Sequence, residues 1–451
     1  MTAATESAQA AFASILAPTH LVTDPAVCAG LSVDGKTPQC VVYPASAGEV
    51  AAVLRCAAEH DLAVIPCRNG TKLGVGNPPR RYDVALSLKD LNRVWHYEPG
   101  DLTITAEAGM KFGDFQHFVG REGLWLPLDP PGGARATLGG IVATNASGPL
   151  RLYFGAPRDM VLGMKIATTE GKVIKTGGRV VKNVAGYDTG KLLIGSYGSL
   201  GVIVEASFKL FPLPADRATF VLAAGKLGIA RDLRRRILAS PLTPMRMLLL
   251  DAGASRLARE GSPLARDAHG PEIWLEVGGS PRVIERCTME LEVLAKAAGA
   301  LVARLKSEEA ENLWNRLTDF RAWLRATFQR LVVLKATLPD MASEEFLSRV
   351  EQETQSDHIR SASFCQAGVG IVHVCLPGAE SEEAAIPLIG RLRTAAQELG
   401  GALVIEDAHM DIKKKLDVWG PVGDDFAIMT KLKTLWDPKG ILSPGRGVGG
   451  L

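Results

Sequence analysis

The chain has 451 residues, 47% of them apolar and 22% charged, with a formal net charge of +2. That length calls for two or three cores, and the composition is that of a globular protein, neither disordered nor collagen-like. A charge so near zero sets up no global field for nucleic acid, and the basic residues are scattered; the run Lys413, Lys414, Lys415 reads as a solvated helix face.

The N-terminal stretch carries Glu6 and no basic residue ahead of its apolar part, which is not a secretory pattern, and no apolar run is long enough to span a bilayer. Residues 7–16 suit a short helix and 40–43 a strand. The segment 46–61 places Val50, Val53, Leu54 and Ala57 at helical spacing behind Ser46 as N-cap. A second strand, LAVIPC, runs into R-N-G-T-K-L-G-V-G-N-P-P at 68–79. So permissive a loop admits positive φ and close approach of backbone to a ligand, and successive N–H groups there suit an anion. A dinucleotide fingerprint would need its glycines between the first strand and its helix; here they follow the second strand.

Short strands are expected at DVALSL, VWHYE and LTITAEAG, then a helix at 111–123. Glycines are dense again at 130–148 and at 183–203, around a strand pair at 161–177 that turns at Glu170-Gly171. Three such segments in one alternating domain imply one extended ligand touched repeatedly by backbone, beyond what turns alone require. From 212–217 the texture changes to a linker. Residues 217–400 then alternate strand-like and helical stretches, which predicts an antiparallel sheet covered by helices. Trp314, Trp323 and Phe328 sit at near-helical spacing and read as core. The end, WDPKGILSPGRGVGG, is too rich in glycine for a helix.

The seven cysteines, Cys28, Cys40, Cys56, Cys67, Cys287, Cys365 and Cys375, form no C-x-x-C pair, which suits reduced thiols in a cytoplasmic protein and not an iron–sulfur cluster. G-Y-D-T-G-K-L at 186–192 is one residue short of a phosphate-binding P-loop. There is no H-E-x-x-H and no G-x-S-x-G.

Five motifs in order, R-x-G-T-K-L-G at 68–74, A-T-L-G-G-I-V-A-T-N-A-S-G at 136–148, RDMVLG at 158–163, KNVAGYD at 182–188 and GSYGSLGVI at 195–203, resemble the flavin domain of the vanillyl-alcohol oxidase / p-cresol methylhydroxylase superfamily. The likeness covers about 36–215 plus the tail. Within it, GTKLGVGNPP, LPLDPP, KNVAGYD and WDPKGILSPGR are most similar to the FAD-binding E subunits of three-component bacterial glycolate oxidases. The resemblance implies an α+β fold: an N-terminal helical segment at 1–35, a two-subdomain FAD-binding domain of the p-cresol methylhydroxylase type at 36–215, an α+β cap with an antiparallel sheet at 216–410, and a segment at 411–451 that returns to the FAD domain.

It further implies FAD. Arg68, Asn69, Gly70, Thr71, Lys72 and Leu73 would meet the diphosphate. Pro131, Thr137, Gly139, Gly140, Thr144, Ser147 and Gly148 would line the ring and ribityl side, and Gly195, Gly198, Gly201, Val202 and Ile203 the adenine and ribityl side. No histidine lies between His60 and His96, so the flavin is expected to be non-covalent; His117 reads as helix surface.

The cap departs from the family pattern. Catalytic D-2-hydroxyacid dehydrogenases of the family carry H-x-G-D-G-N-x-H and an E-H-G segment whose histidines and glutamate hold a metal that polarises the substrate. Here Gln366 stands at the first histidine, Val369 and Ile371 at the Asp and Asn, His373 remains, Glu406 remains, and Asp407 stands at the third histidine. No functional metal is expected, since imidazole pairs are the usual transition-metal ligands; His409 would reach the position only with a two-residue slip. The expectation is an FAD-dependent oxidoreductase acting on CH–OH groups: a subunit of a glycolate or 2-hydroxyacid oxidase complex beside a catalytic flavin subunit and an iron–sulfur subunit, held at most peripherally at the inner face of the membrane through them. The alternatives are a self-sufficient 2-hydroxyacid dehydrogenase, with His373 as base and Arg446 or Lys182 as carboxylate or flavin partner, and a non-catalytic FAD-bearing scaffold.

Overall fold

The computed structural model describes residues 10–179, 187–260, 270–378 and 382–451. The chain divides into two compact units. The first comprises Met1–Ala146, Ala156–Pro212 and Pro421–Leu451; the second comprises Ser147–Gly155 and Leu213–Gly420.

The first unit opens with a four-stranded sheet of β1 (Leu21–Val22), β2 (Cys40–Val42), β3 (Val64–Cys67) and β4 (Val84–Ser87) in the order β1-β2-β4-β3. β2 and β3 both run parallel to β4, which requires a crossover, and the helix Ala47–Glu59 supplies it. That helix starts where the sequence places it. Ser46 Oγ accepts from Glu49 N at 3.1 Å, Glu49 reaches back to Ala45 N at 2.8 Å, and Val50, Val53, Leu54 and Ala57 are buried. The second sheet is antiparallel: β5 (Val94–Glu98), β6 (Thr103–Glu107), β8 (Val161–Ala167), β9 (Val173–Gly177) and β10 (Val202–Lys209), ordered β5-β6-β10-β8-β9. A small pair joins β7 (Leu124–Trp125) to β11 (Phe211–Pro212). The glycine-rich tail is irregular and runs beside β3 through a parallel bridge between Val64 and Leu442. The helix before it, Phe426–Trp436, is not evident in the sequence pattern.

The second unit is built on one antiparallel sheet of eight strands: β12 (Asp216–Ala223), β13 (Arg246–Leu250), β14 (Glu272–Gly279), β15 (Leu301–Arg304), β16 (Leu331–Thr337), β17 (Ala362–Gln366), β18 (Ile371–Pro377) and β19 (Ala402–Asp407). Their order is β15-β12-β14-β13-β17-β18-β16-β19. Period-two alternation sends side chains to two faces. Met247, Leu249, Leu334 and Val372 face the long helices Leu227–Ala239, Pro281–Ala298, Ser343–Ser356 and Glu382–Glu398. Leu248, Leu250, Val333 and Phe364 face the shorter Ala252–Arg259, Ser307–Thr318 and Phe320–Thr327. Trp314 is fully enclosed there as core, and the partly buried Trp323 and Phe328 pack against that core from its edge.

Two sequence expectations need correction. Asp216 and Arg217, read as linker, already belong to β12, paired with Gly279 and Gly278. Lys413 is not on a solvated face. It is buried on the helix Met410–Lys415, while Lys414 and Lys415 are exposed. A three-residue charge run cannot lie on one face of a helix with 3.6 residues per turn.

Candidate functional site

The first unit gathers the glycine-dense segments. After β3 the chain turns twice, with Leu73 N donating to Gly70 O and Val75 N to Lys72 O, both at 3.0 Å. Gly70 sits at φ +68°, where a β-carbon is strained. The Arg68 guanidinium donates to Asn69 Oδ1, and Asn69 Nδ2 donates to Arg135 O at 2.6 Å. A β-carbon on Gly132 would lie 3.0 Å from Thr71 Cβ, so the 68–71 turn abuts the turn after Pro131. Next comes the helix Leu138–Thr144, capped by Thr137 Oγ1, which accepts from Gly140 N at 3.3 Å; Thr144 Oγ1 donates to Gly140 O at 2.7 Å. Gly195 N and Tyr197 N donate to Val142 O and Ala143 O at 3.2 and 2.8 Å, which sets 195–197 against the end of that helix. Gly198 meets Pro66 of β3. The loop at 68–73, the segment at 131–145 and the loop at 195–198 are thus brought together.

The glycines divide by role. Gly140 is exposed, and a β-carbon there would meet only Thr137 Oγ1, at 3.1 Å. Gly139 and Gly201 are needed by the fold: β-carbons would fall 2.7 Å from Ala108 Cβ and 2.8 Å from Ile166 Cγ2. Val202 and Ile203 are buried on β10, opposite Ala167 and Ile166, and pairing with β6 begins only at Glu205. Ser147 and Gly148 open the segment that belongs to the second unit, where Gly148 O accepts from Arg151 N. Lys182 lies outside the described residues, as does most of KNVAGYD.

Arg446 has a structural task. It is buried, and its guanidinium donates to Leu73 O, at 2.5 Å, and to Val75 O, while Arg446 O accepts from Asn77 N at 3.1 Å. Burial lowers its pKa. It braces the 68–76 loop from behind, a role that its place in a distant glycine-rich tail does not announce. Lys433 does the same for the third loop. Its ammonium donates to Ser199 O and Leu442 O, each at 2.8 Å, and to Asp437 Oδ2 at 2.7 Å; Asp437 also accepts from Ile441 N and Leu442 N.

These residues fit a dinucleotide flavin. Arg68 Nε is buried with no hydrogen-bond partner among the described residues, inside a loop whose glycine holds a positive φ. Asn145, at φ +47°, has a buried Oδ1 equally without a partner, next to Gly195. Buried polar groups are normally satisfied, so such atoms mark where a polar ligand belongs. Asn145 was passed over in the sequence; the signal was an Asn at a helix C-terminus, where the left-handed conformation favours it.

In the second unit the relic motif converges. Gln366 ends β17, His373 lies on β18 and Glu406 on β19. Gln366 Nε2 is 3.5 Å from His373 Nε2, and Glu406 Oε2 is 3.8 Å from His373 Nδ1. The imidazole stacks on Phe364, centroids 5.0 Å apart. Asp407 instead forms an ion pair with Arg325, Nε to Oδ2 2.9 Å, and His409 pairs with Asp411 at 2.8 Å. Among the described residues no group of three or more His, Cys, Asp or Glu is close enough to hold a metal ion.

Comparison with known families places the chain in a class. Residues 38–177 match the FAD-binding domain and residues 213–446 the C-terminal domain of FAD-linked oxidases. The chain belongs to the FAD-linked oxidases, FAD-dependent oxidoreductases with a p-cresol-methylhydroxylase-type fold. Among relatives, it is 26% identical to the glycolate oxidase subunit GlcD of Bacillus subtilis over 91% of this chain and 88% of that one. It is 28% identical to a D-lactate dehydrogenase of Archaeoglobus fulgidus over 90% and 91%. Among solved structures, p-cresol methylhydroxylase with substrate bound superposes with a TM-score of 0.77 at 15% identity, covering 99% of this chain and 97% of that one. Alkyldihydroxyacetonephosphate synthase superposes at 0.73 and 16%, covering 97% and 85%. No described helix is long and apolar enough to cross a membrane.

Proposed function

We propose that this chain is the FAD-bearing subunit of a 2-hydroxyacid oxidase (dehydrogenase) complex of the glycolate-oxidase type. The observation that carries the reading is an unequal retention. The first unit brings together the loop at 68–73, the segment at 131–145 and the loop at 195–198, which suit a flavin dinucleotide, whereas the second has His373 and Glu406 but Gln366 in place of the first imidazole. Relatives named as a glycolate oxidase subunit and as D-lactate dehydrogenases support the substrate class.

A bound flavin supplies the oxidising chemistry, accepting a hydride equivalent from the carbon that bears the hydroxyl. The chain's own residues do the rest. Arg68, Asn69, Gly70, Thr71 and Lys72 hold the diphosphate, Thr137, Gly140 and Thr144 border the ring side, and the segment at 195–203 follows the adenine and ribityl side. His373, beside Glu406 and stacked on Phe364, is the group suited to take the hydroxyl proton. Electrons leave through a partner, a quinone or a soluble acceptor. The partners are a catalytic flavin subunit and an iron–sulfur subunit, which would hold the complex in the cytoplasm or at the inner face of the membrane.

A second reading, a self-sufficient dehydrogenase, draws on the His373–Glu406 pair, which resembles a base with its orienting carboxylate. An anaerobic visible spectrum separates the two. Bleaching of the flavin in the isolated chain by glycolate or D-lactate supports self-sufficiency. Bleaching only in the reconstituted complex supports the subunit. A chain that cannot be loaded with FAD defeats both.

A further inference from the structure

The helix Phe426–Trp436 of the first unit fully buries only Lys433. Its inner stripe is Phe426, Met429, Lys433 and Trp436, each at least half-buried. Residues three and four apart share a helix face. The outer stripe is therefore Ile428, Lys431 and Leu435. Asp424 continues it in the turn that starts the helix, where Phe426 N donates to Gly423 O, and Lys439 continues it in the turn after the end, where Gly440 N donates to Asp437 O. Every member of this stripe is exposed, Ile428 by 62% and Leu435 by 73%.

Lone exposed apolar side chains are ordinary. This pair is set apart by the charges around it. Among the described residues neither Asp424 nor Lys439 forms an ion pair; Lys439 acts only at longer range on Asp61, which Arg81 already holds at 2.8 Å. The stripe is thus acidic at one end and basic at the other, with two apolar side chains between. Its midpoint lies between Lys431 and Leu432, and this one point bisects both Ile428–Leu435 and Asp424–Lys439. A copy of the helix laid antiparallel about that point sets Ile428 against Leu435 and Asp424 against Lys439, each pairing made twice across a two-fold axis.

We propose that this helix is a self-association surface whose occupant is the same helix of a second copy of the chain. The apolar pair is covered, and each unpaired charge meets its opposite. Lys431 stands nearest the axis, with its stem over the apolar contact and its ammonium reaching water. A helix of 11 residues is about 16 Å long, which makes a small interface and a dissociation constant of about 10 μM.

The test is sedimentation velocity of the full FAD-loaded chain at low salt, from about 1 to about 100 μM, which brackets that constant. Wild type should pass from monomer to dimer. Leu435→Asp sets a carboxylate in the apolar contact and should weaken association at least about a hundredfold. Asp424→Lys and Lys439→Asp each create two like-charge contacts and should each weaken it about tenfold, whereas the two together should restore it. Lys431→Cys should be joined to its copy by a short bismaleimide, while the wild-type chain with its own seven cysteines is not. An unchanged flavin spectrum and Tm show that each variant is folded. The proposal is overturned if wild type stays monomeric across the range, if Leu435→Asp dimerises as well as wild type, if the double charge variant does not recover, or if Lys431→Cys is not cross-linked. A monomeric wild type that binds an added partner subunit, and loses it on Leu435→Asp, would give this face to that partner instead.

Discussion

The loops of the first unit and the polar face of the second are built by opposite means. The first unit presents mostly backbone. Gly70 and Gly195 hold positive φ, Gly140 leaves a surface bare, and the side chains that matter most, Arg446 and Lys433, work from behind by holding carbonyls in place. The second unit instead presents side chains on a rigid sheet, Gln366, His373 and Glu406, with the Gln366 amide 3.5 Å and the Glu406 carboxylate 3.8 Å from the imidazole nitrogens. Backbone recognition is robust to most substitutions but intolerant of an added β-carbon. A side-chain site can change its chemistry with one residue while its sheet stays unchanged.

The sharpest way to break this contrast is Lys433→Met. It leaves Asp437, whose side chain is fully enclosed, as an unpaired buried carboxylate, and should cost the first unit about 3–5 kcal/mol in urea unfolding. A loss below about 1 kcal/mol would mean that the tail does not brace the third loop. Next comes Gly140→Trp against Gly139→Val. The first fills exposed space and should weaken FAD binding at least about a hundredfold with Tm nearly unchanged. The second collides with Ala108 and should lower Tm itself. If Gly140→Trp still binds FAD, the first unit does not hold the ligand where proposed.

A third prediction concerns pH. Burial pushes Asp251 of the second unit up to about 6, against backbone hydrogen bonds from Ala254 and Ser363 that favour the anion. The folded state then holds its proton up to a higher pH than the unfolded chain does. Stability therefore falls as pH rises from about 4 to about 6, by about 2 kcal/mol. Asp251→Asn should flatten that decline; an identical pH–stability curve in the variant would remove Asp251 as its source. The smallest effect belongs to Gln366→His. It adds an imidazole beside His373 and Glu406 and should raise zinc affinity about tenfold, read by competition with a chromophoric chelator. No gain would show that the sheet, and not only the residue at position 366, excludes the metal.

Much of this protein was legible before folding. Helix 47–59 could be read because Ser46, Glu49 and the apolar spacing act within a few residues of each other, and the FAD loops because positive-φ turns select glycine locally. The motif order was enough to identify the family, and the alternation in 217–400 enough to predict the antiparallel sheet. The sequence by itself thus determined the fold class, the cofactor and the weakened metal motif. Only the tertiary structure decided which glycines serve the fold, since the neighbours of Gly139 and Gly201 are distant in the chain. It likewise decided that Arg446 braces residues 73–75 from more than three hundred positions away, and that Lys335 stands across from His373, because strand register is a property of the paired sheet and of neither strand alone.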